Sequence, residues 1–222
     1  FSFTRDRAGT VWVTDFHDGF HRLDQGRPHV GTEGLRGWGV QLLHDRRGAM
    51  WVATQGQGLW RVNPTQGAGT PSVAVATMRD GLASEAVLAL LEDREGNIWL
   101  GTPGGLQRLS SHRVTPMRDL GVARALEAMP DGAMWVGMAS GLRRFAGGES
   151  RLFTEADGLP GSVVLALHAG PRGELWIATE MGVAIHRNGR FTRLPLPKGP
   201  NLPRIFPIAT AGEDVWMRDF FS

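Results

Sequence analysis

A tryptophan-centred pattern recurs six times along the 222 residues and restricts the possible folds more than any other feature. Each of these tryptophans lies between aliphatic or other apolar residues, and in five copies a Gly stands three positions before it. Their successive spacings are 39, 48, 36, 41 and 40 residues, a period typical of repeat architectures. The six are Trp12, Trp51, Trp99, Trp135, Trp176 and Trp216.

Each repeat contains four short apolar runs separated by turn signals. In the third repeat, VLALLED (87–93) precedes the turn DREG (93–96), and the Gly-led run GLQRL (105–109) follows the tryptophan. A weaker fourth run closes the repeat and ends in EGL or DGL. Runs of this length suit strands better than helices, and four strands in about 40 residues are typical of a propeller blade. The sequence therefore predicts an all-β propeller with about five complete four-stranded antiparallel blades, a partial sixth and no long helix.

Blade stacking predicts a structural role for the recurring tryptophans. A four-stranded sheet cannot bury both of its faces alone, so each face must be covered by the next blade. We expect Trp51, Trp99, Trp135 and Trp176 to be mostly buried between blades. Trp12 and Trp216 lie in the terminal repeats, where we expect greater exposure. No ligand-binding role is predicted for any of the six.

The repeat resembles a known family. Residues 80–108, DGLASEAVLALLEDREGNIWLGTPGGLQR, resemble the two-component regulator propeller repeat almost throughout. Residues 157–187 match well but lack the first turn Asp, and residues 33–62 match with one deletion. Residues 119–145 replace DGL by DLG, and residues 213–219 keep only the tryptophan strand. The resemblance thus extends over essentially the whole chain.

The resemblance implies a sensor region. Repeats of this family form seven-bladed propellers in the extracytoplasmic part of bacterial membrane receptors. A β-sandwich, a transmembrane helix and a histidine kinase or diguanylate cyclase output usually follow. We therefore expect residues 1–222 to be one propeller region of a longer receptor, located in the periplasm. Its expected partners are a small molecule or oligosaccharide, the rest of its own chain and a second receptor copy, with membrane contact only through segments outside this sequence.

Composition excludes several classes of function. Of the 24 basic residues, 23 are Arg and one is Lys198, and there is no Tyr, which explains a pI of about 10.2 at a net charge of only +2. The high pI is therefore no sign of nucleic-acid binding, and we predict no nucleic-acid partner. The absence of Cys excludes thiolate nucleophiles, disulfides and Cys-based zinc sites. No cofactor or metal is predicted.

Two sets of loops are expected to share the face that binds a ligand. The leading loops precede the first strand of each blade (35–39, 82–86, 120–124, 159–163 and 201–205). The middle loops join the second and third strands (15–19, 54–58, 102–106, 138–142 and 179–183). Their chemistry varies while the strands repeat, as expected of a recognition face. The candidate ligand-binding residues are His17, Asp18, Arg36, Trp38, Gln55, Gln57, Glu85 and Glu180.

Three alternatives remain open at this stage. Trp38 and Trp60 break the repeat, and each is expected either to stack on a ligand or to pack on the neighbouring blade. The segment GELWIATE (173–180) is similar to a strand of streptogramin-type propeller lyases, but of the seven His only His17 maps to the candidate face. We therefore predict no catalysis, with such a lyase or a protein-docking scaffold as alternatives.

The loop at 63–72 is expected to be mobile and to lie on the outer rim.

Overall fold

A computed structural model describes residues 2–14, 20–24, 27–29, 39–63, 72–110, 113–117, 120–195, 205–211 and 214–219. Its contacts divide the chain into two compact units, Phe1–Asp119 and Leu120–Ser222. Throughout these ranges the chain forms strands and tight turns, and the helical segments are the 3₁₀ turns Met78–Asp80 and Glu155–Asp157. The all-β prediction is confirmed.

Unit 1 contains three four-stranded sheets, each with its strands in chain order and antiparallel. Blade one consists of β1 (Ser2–Arg5), β2 (Val11–Thr14), β3 (Phe20–Asp24) and β4 (Arg27–His29). Blade two consists of β5 (Gly39–His44), β6 (Met50–Thr54), β7 (Leu59–Asn63) and β8 (Ser72–Ala76). Blade three consists of β9 (Ala89–Glu92), β10 (Ile98–Thr102), β11 (Gly105–Ser110) and β12 (Arg113–Met117).

Unit 2 repeats the arrangement. Blade four consists of β13 (Ala123–Ala128), β14 (Met134–Met138), β15 (Gly141–Ala146) and β16 (Glu149–Phe153). Blade five consists of β17 (Val164–Ala169), β18 (Leu175–Thr179), β19 (Gly182–Arg187) and β20 (Arg190–Arg193). A two-stranded sheet follows, β21 (Ile205–Ala211) with β22 (Asp214–Asp219). Five complete blades and a partial one are therefore present in the described ranges, as predicted.

In blades one to three, the D-x-x-G turns explain why the first strand folds back. In blade two, Asp45 Oδ1 accepts hydrogen bonds from the N–H groups of Arg47 (2.9 Å) and Ala49 (2.8 Å). The N–H of Gly48 donates to the Asp45 carbonyl at 3.0 Å, with a φ of 90° that favours glycine. Arg46 then donates from Nη1 to the carbonyl of Arg94 in the next turn at 2.6 Å. The short polar motif thus forms the hairpin and also ties two blades together.

The recurring Asp-Gly-Leu sequence ends the 3₁₀ turn that follows the fourth strand. Asp80 Oδ2 accepts from both the N–H and the hydroxyl of Thr77 at 2.9 Å, which closes a capping box around the 3₁₀ turn. Gly81 follows in the left-handed region, with a φ of 98°, and Leu82 is buried. Thr154 and Asp157 repeat the box in unit 2. The motif therefore ends the fourth strand and delivers a leucine to the core.

Apolar clusters lie between consecutive blades of each unit. Trp12, Phe20, Leu42, Met50, Val52, Trp60 and Val62 pack together between blades one and two. Ala53, Leu59, Leu82, Val87, Leu90, Ile98 and Leu100 do so between blades two and three. In unit 2, Ala125, Ala133, Trp135, Leu142, Phe153, Leu159, Val164, Leu167, Leu175 and Ile177 form the cluster of blades four and five. Within each unit, neighbouring blades thus cover each other's faces.

The expected burial of the tryptophans was only partly right. Trp135 is 2% exposed, and Trp51, Trp99 and Trp176 are less completely buried, so all four are mostly buried, as predicted. Trp12, expected to be more exposed, is 7% exposed and stacks on Phe20 with ring centroids 4.9 Å apart. The side chain of Trp216 lies outside the described residues.

The indole N–H holds the rings of Trp51 and Trp99 at the hairpin turn, and the buried Trp12 makes the same bond, from Nε1 to Asp6 at 2.9 Å. Trp51 Nε1 donates to Asp45 and Trp99 Nε1 donates to Asp93, each at 2.8 Å, so the ring edge lies at the turn. An arginine of the third strand covers the ring face, with Arg61 Cζ 5.5 Å from the Trp51 centroid. These rings therefore pack between a turn carboxylate and an arginine, and not wholly between blades.

Candidate functional site

The middle loop of blade two and the leading loop of blade three form one hydrogen-bonded pair, which we call the loop junction (residues 54–58 and 82–87). The N–H of Gly58 donates to the Glu85 carbonyl and the N–H of Val87 donates to the Thr54 carbonyl, both at 2.8 Å. Gln55 and Ala86 form an antiparallel bridge between these bonds. The prediction that leading and middle loops share a face is confirmed here.

The Glu85 side chain ties the loop junction to the preceding 3₁₀ turn, Met78–Asp80. Its Oε1 accepts a hydrogen bond from the N–H of Met78 at 3.1 Å. Its Oε2 lies 3.2 Å from the position that a Cβ on Gly58 would occupy, so the carboxylate rests against the middle loop. The structure thus gives this half-buried candidate ligand residue a supporting contact inside the protein.

Gln55 and Gln57 are exposed on the same junction. The backbone of Gln57 is fixed on both sides, because its N–H donates to Thr54 Oγ1 (2.9 Å) and its carbonyl accepts from Trp60 Nε1 (3.1 Å). Trp60 itself is buried in the apolar cluster of blades one and two, which confirms the packing alternative for this residue. Two amide side chains are therefore presented to solvent from a rigid backbone.

Gln107 is a buried residue that sequence reasoning did not select. Its Oε1 accepts from the N–H of Ala83 at 2.7 Å, and its Nε2 donates to the Gly81 carbonyl at 3.0 Å. The side chain is 2% exposed and supports the start of the leading loop. The other repeats carry His21, Trp60, Arg143 or Ala184 at this position of the third strand, so a polar residue there was no distinguishing signal.

Glu180 plays a comparable part in unit 2. Its Oε1 accepts from the N–H of Ser162 at 3.1 Å and its Oε2 accepts from the N–H of Val163 at 2.9 Å. The carboxylate therefore caps the leading loop of its own blade. Beside it, Met181 is 54% exposed at the tip of the middle loop. Gly56, Gly104 and Ser140 hold the corresponding tip positions, so the tip chemistry differs from blade to blade.

The other candidates cannot be placed. His17, Asp18, Arg36 and Trp38 lie outside the described residues, as does most of the predicted mobile loop at 63–72. Of the eight candidates, the structure brings Gln55, Gln57 and Glu85 together on the loop junction, with Glu180 on the corresponding loops of unit 2.

A second polar feature joins the first strands of neighbouring blades. In unit 1, Gln41 of β5 accepts from the N–H of Leu90 (2.8 Å) and donates to the Leu90 carbonyl (3.1 Å). In unit 2, Glu127 of β13 accepts from the N–H of Ala169 in β17 at 3.1 Å. Burial raises the pKa of Glu127 to about 7, although the hydrogen bond from Ala169 lowers it. Sequence reasoning selected neither residue.

Two histidines of unit 2 also lie in restricted surroundings. Burial lowers the pKa of His168. It also lowers that of His186, with a smaller contribution from Arg144. The His186 ring lies 4.9 Å from that of Trp135 and 4.7 Å from that of Phe191.

Across the described ranges, no three His, Asp or Glu side chains are arranged to hold a metal ion. No helix in those ranges has the length and apolar character needed to cross a membrane.

Repeated four-stranded antiparallel sheets, sequential connections and inter-blade cores define the fold as a β-propeller. The family resemblance is confirmed for residues 81–104, which match the family model described as "Two component regulator propeller". That repeat contains the leading loop of blade three and therefore half of the loop junction. No curated protein sequence matches the chain.

Solved structures share the fold over nearly the whole chain. The extracellular domain of the hybrid two component system BT3049 from B. thetaiotaomicron is 18% identical at a TM-score of 0.73, covering 98% of this chain and 32% of that one. An inactive virginiamycin B lyase from Staphylococcus aureus, solved with quinupristin, is 18% identical at a TM-score of 0.75, covering 99% and 77%. The gluconolactonase XC5397 from Xanthomonas campestris is 17% identical at a TM-score of 0.63, covering 94% and 81%. The chain thus spans about a third of the BT3049 domain, and these likenesses show the fold alone.

Proposed function

We propose that this chain is the ligand-sensing propeller region of a bacterial two-component-type membrane receptor, that it lies in the periplasm, and that it acts by binding and not by catalysis. One observation carries the proposal: the repeat that matches the two component regulator propeller, residues 81–104, also contributes the leading loop of the loop junction. The extracellular location of the BT3049 domain supports the proposed compartment.

The chemistry of the loop junction favours a neutral, hydroxyl-bearing ligand such as an oligosaccharide. Gln55 and Gln57 present amides that both donate and accept hydrogen bonds, which suits hydroxyl groups. Glu85 is engaged with the N–H of Met78, so it supports the site and leaves the amides as the recognition groups. Arg36, Trp38, His17 and Asp18 are proposed to complete the site, with Trp38 stacking on a ring of the ligand.

Signalling requires that the ligand distinguish two states of the receptor. A ligand shifts an equilibrium only through its differential affinity for the two states. In the proposed receptor, the rest of the chain and a second receptor copy supply the alternative arrangement, and a kinase or cyclase output reads it. The propeller supplies rigid loops, which lower the entropy cost of capture.

Calorimetric titration with a panel of neutral oligosaccharides and small metabolites tests this proposal. We expect the double change Gln55→Ala and Gln57→Ala to weaken binding about tenfold or more, because two polar contacts are lost. Thr115→Ala, an exposed change on the outer strand β12, is the matched control and should leave affinity unchanged. Equal affinity of the double variant and the parent protein for every ligand bound would overturn the proposed site.

A lyase of streptogramin type is the second candidate, supported by the fold likeness to the virginiamycin B lyase over 99% of this chain. Incubation with quinupristin, followed by mass spectrometry of the antibiotic, separates the two candidates. We expect quinupristin to remain intact. Its enzymatic turnover would replace the sensor proposal by the lyase.

A further inference from the structure

In the part of the chain that the structure describes, the outer strand of each blade pairs on one side only, and most of these edges are protected. Proline interrupts two of them, at Pro28 in β4 and Pro116 in β12. Charged side chains flank or occupy two others, in β16 (ESRLF) and β20 (RFTR). Proline removes a donor and charge opposes association, so both features prevent edge-to-edge pairing.

The outer strand of blade two has neither protection. Strand β8 reads Ser-Val-Ala-Val-Ala from Ser72 to Ala76, without charge or proline. It pairs with β7 through five consecutive residue pairs without a bulge, so its other edge is regular. Ala74 is exposed, Val75 is 49% exposed and the nearby Met78 is 56% exposed. Among the strands that the structure describes, none pairs with that edge.

The sequence of β8 is nearly symmetric about its middle residue. In an antiparallel pair centred on Ala74, that residue faces its own counterpart, and Val73 of one strand faces Val75 of the other. Ser72 similarly faces Ala76. Val residues favour strands, and facing aliphatic pairs stabilise a sheet. No like charges meet in this register, whereas the same operation on β16 would place Arg151 against its own copy.

We propose that β8 is a self-association edge that pairs antiparallel with β8 of a second copy of this chain, around a two-fold axis at Ala74. The two sheets of blade two then become one continuous sheet across the two copies. A contact of five residues per strand is smaller than the interfaces of stable complexes, so the association is weak and depends on concentration. The proposal does not depend on the ligand or on the receptor assignment.

The complete absence of cysteine allows a direct test. Facing residues of an antiparallel pair have Cα atoms about 4.5–5.5 Å apart, within the range that a disulfide bridges. In the full chain, Ala74→Cys should therefore form a covalent dimer under mild oxidation. Val75→Cys is the register control. In the proposed pairing residue 75 faces residue 73 of the second copy, so residue 75 of that copy lies two positions away along the strand, beyond the reach of a disulfide. Thr115→Cys, the exposed middle residue of β12, is the control for random collision.

We expect the Ala74→Cys dimer to form about tenfold faster than either control dimer, because the pairing holds the two thiols together. Sedimentation velocity at rising concentration is the second measurement. The parent protein should self-associate, and Ala74→Lys, which places like charges opposite each other, should remain monomeric. Circular dichroism and melting of each variant establish that it is folded. Equal crosslinking at all three positions, or a monomeric parent protein at every concentration, would overturn the proposal.

Discussion

A polar side chain joins the first strands of neighbouring blades in both units, but its chemistry differs. Unit 1 uses an amide between blades two and three, and unit 2 uses a carboxyl group between blades four and five. Gln41 binds both the N–H and the carbonyl of Leu90, so one neutral side chain satisfies two backbone groups. Glu127 accepts from the N–H of Ala169, and burial raises its pKa to about 7. An ionised carboxylate is costly in such surroundings, whereas the protonated acid matches an amide in shape and bonding. The comparison shows that the contact between first strands does not change with pH where Gln41 makes it, and does change with pH where Glu127 makes it.

Blades three and four also hold their tryptophans differently. In blade three the Trp99 indole is held by the Asp93 carboxylate. Burial opposes ionisation of Asp93, but hydrogen bonds from Asn97 and Trp99 outweigh it and lower its pKa. In blade four, Trp135 is instead covered by Phe153, at 5.5 Å between centroids, and by His186. Blade three therefore uses a polar contact at the turn where blade four uses aromatic packing. The contrast is between blades and not between units, because Trp176 of blade five also donates to a turn carboxylate, that of Glu174, at 3.2 Å.

The largest expected effect tests this tryptophan contrast. Trp135→Ala should lower the free energy of unfolding by about 3–5 kcal/mol, because it removes a large buried aromatic side chain. Trp99→Ala should cost less, since the ring is half-buried. Urea denaturation of both variants measures the difference. An equal loss, or a greater loss for Trp99→Ala, would show that the turn contact matters as much as aromatic packing.

The next effect concerns Glu127. Its folded pKa is raised from 4.5 to about 7, so the stability contributed by the protonated form is fully present below 4.5 and is lost as pH rises through 7. Glu127→Gln should therefore stabilise the protein at pH 8 by about 3 kcal/mol and change little at pH 4. Denaturation of the variant and the parent protein across this range measures the difference.

Two half-buried histidines of unit 2 change the stability with pH in the opposite direction. Burial lowers the pKa of His168 and of His186, so their contribution to stability is present above the ordinary value of 6.5 and is lost as the pH falls below it. Subtracting the parent curve from the Glu127→Gln curve cancels this contribution. A flat difference curve between pH 4 and 8 would contradict the role of Glu127.

The reciprocal change in unit 1 should have a smaller effect. Gln41→Glu places between β5 and β9 a carboxyl group like that of Glu127 in unit 2. At pH 8 we expect a loss of about 1–2 kcal/mol, because an ionised carboxylate cannot donate to the Leu90 carbonyl. The loss should shrink as the pH falls toward 4, because a growing share of the acid is then protonated. Gln41→Ala, which loses both hydrogen bonds at any pH, is the matched control in the same denaturation series.

The smallest effect separates the two capping boxes. Thr77 Oγ1 accepts from the N–H of Arg79 at 3.3 Å in addition to its contacts with Asp80. Thr77→Ala should therefore cost about 0.5–1 kcal/mol, and Thr154→Ala somewhat less. Precise thermal melts of the two variants test the order. Reversal of that order would show that the hydroxyl of Thr77 adds nothing to its cap.

The loop junction shows how far prediction of the site extended. Placing Gln55, Gln57 and Glu85 on one face required only the blade topology, which the repeat indicates. The supporting bonds of Glu85 and Glu180 were not predictable. A carboxylate in a loop has the same sequence pattern whether it binds a ligand or a backbone N–H. Gln107 was missed because its partners, Gly81 and Ala83, lie between β8 and β9, more than twenty residues away along the chain.

By itself the sequence determined the all-β class, the four strands of each blade and the positions of the turns. These follow from local chemistry, since Asp and Gly at fixed positions close a turn and alternating apolar residues form strands. Only the tertiary structure decided how deeply each tryptophan is buried, and that the carboxyl of Glu127 meets Ala169. Both depend on which side chain the neighbouring blade brings to that place. Burial and pKa are properties of such surroundings, and a repeat pattern does not encode them.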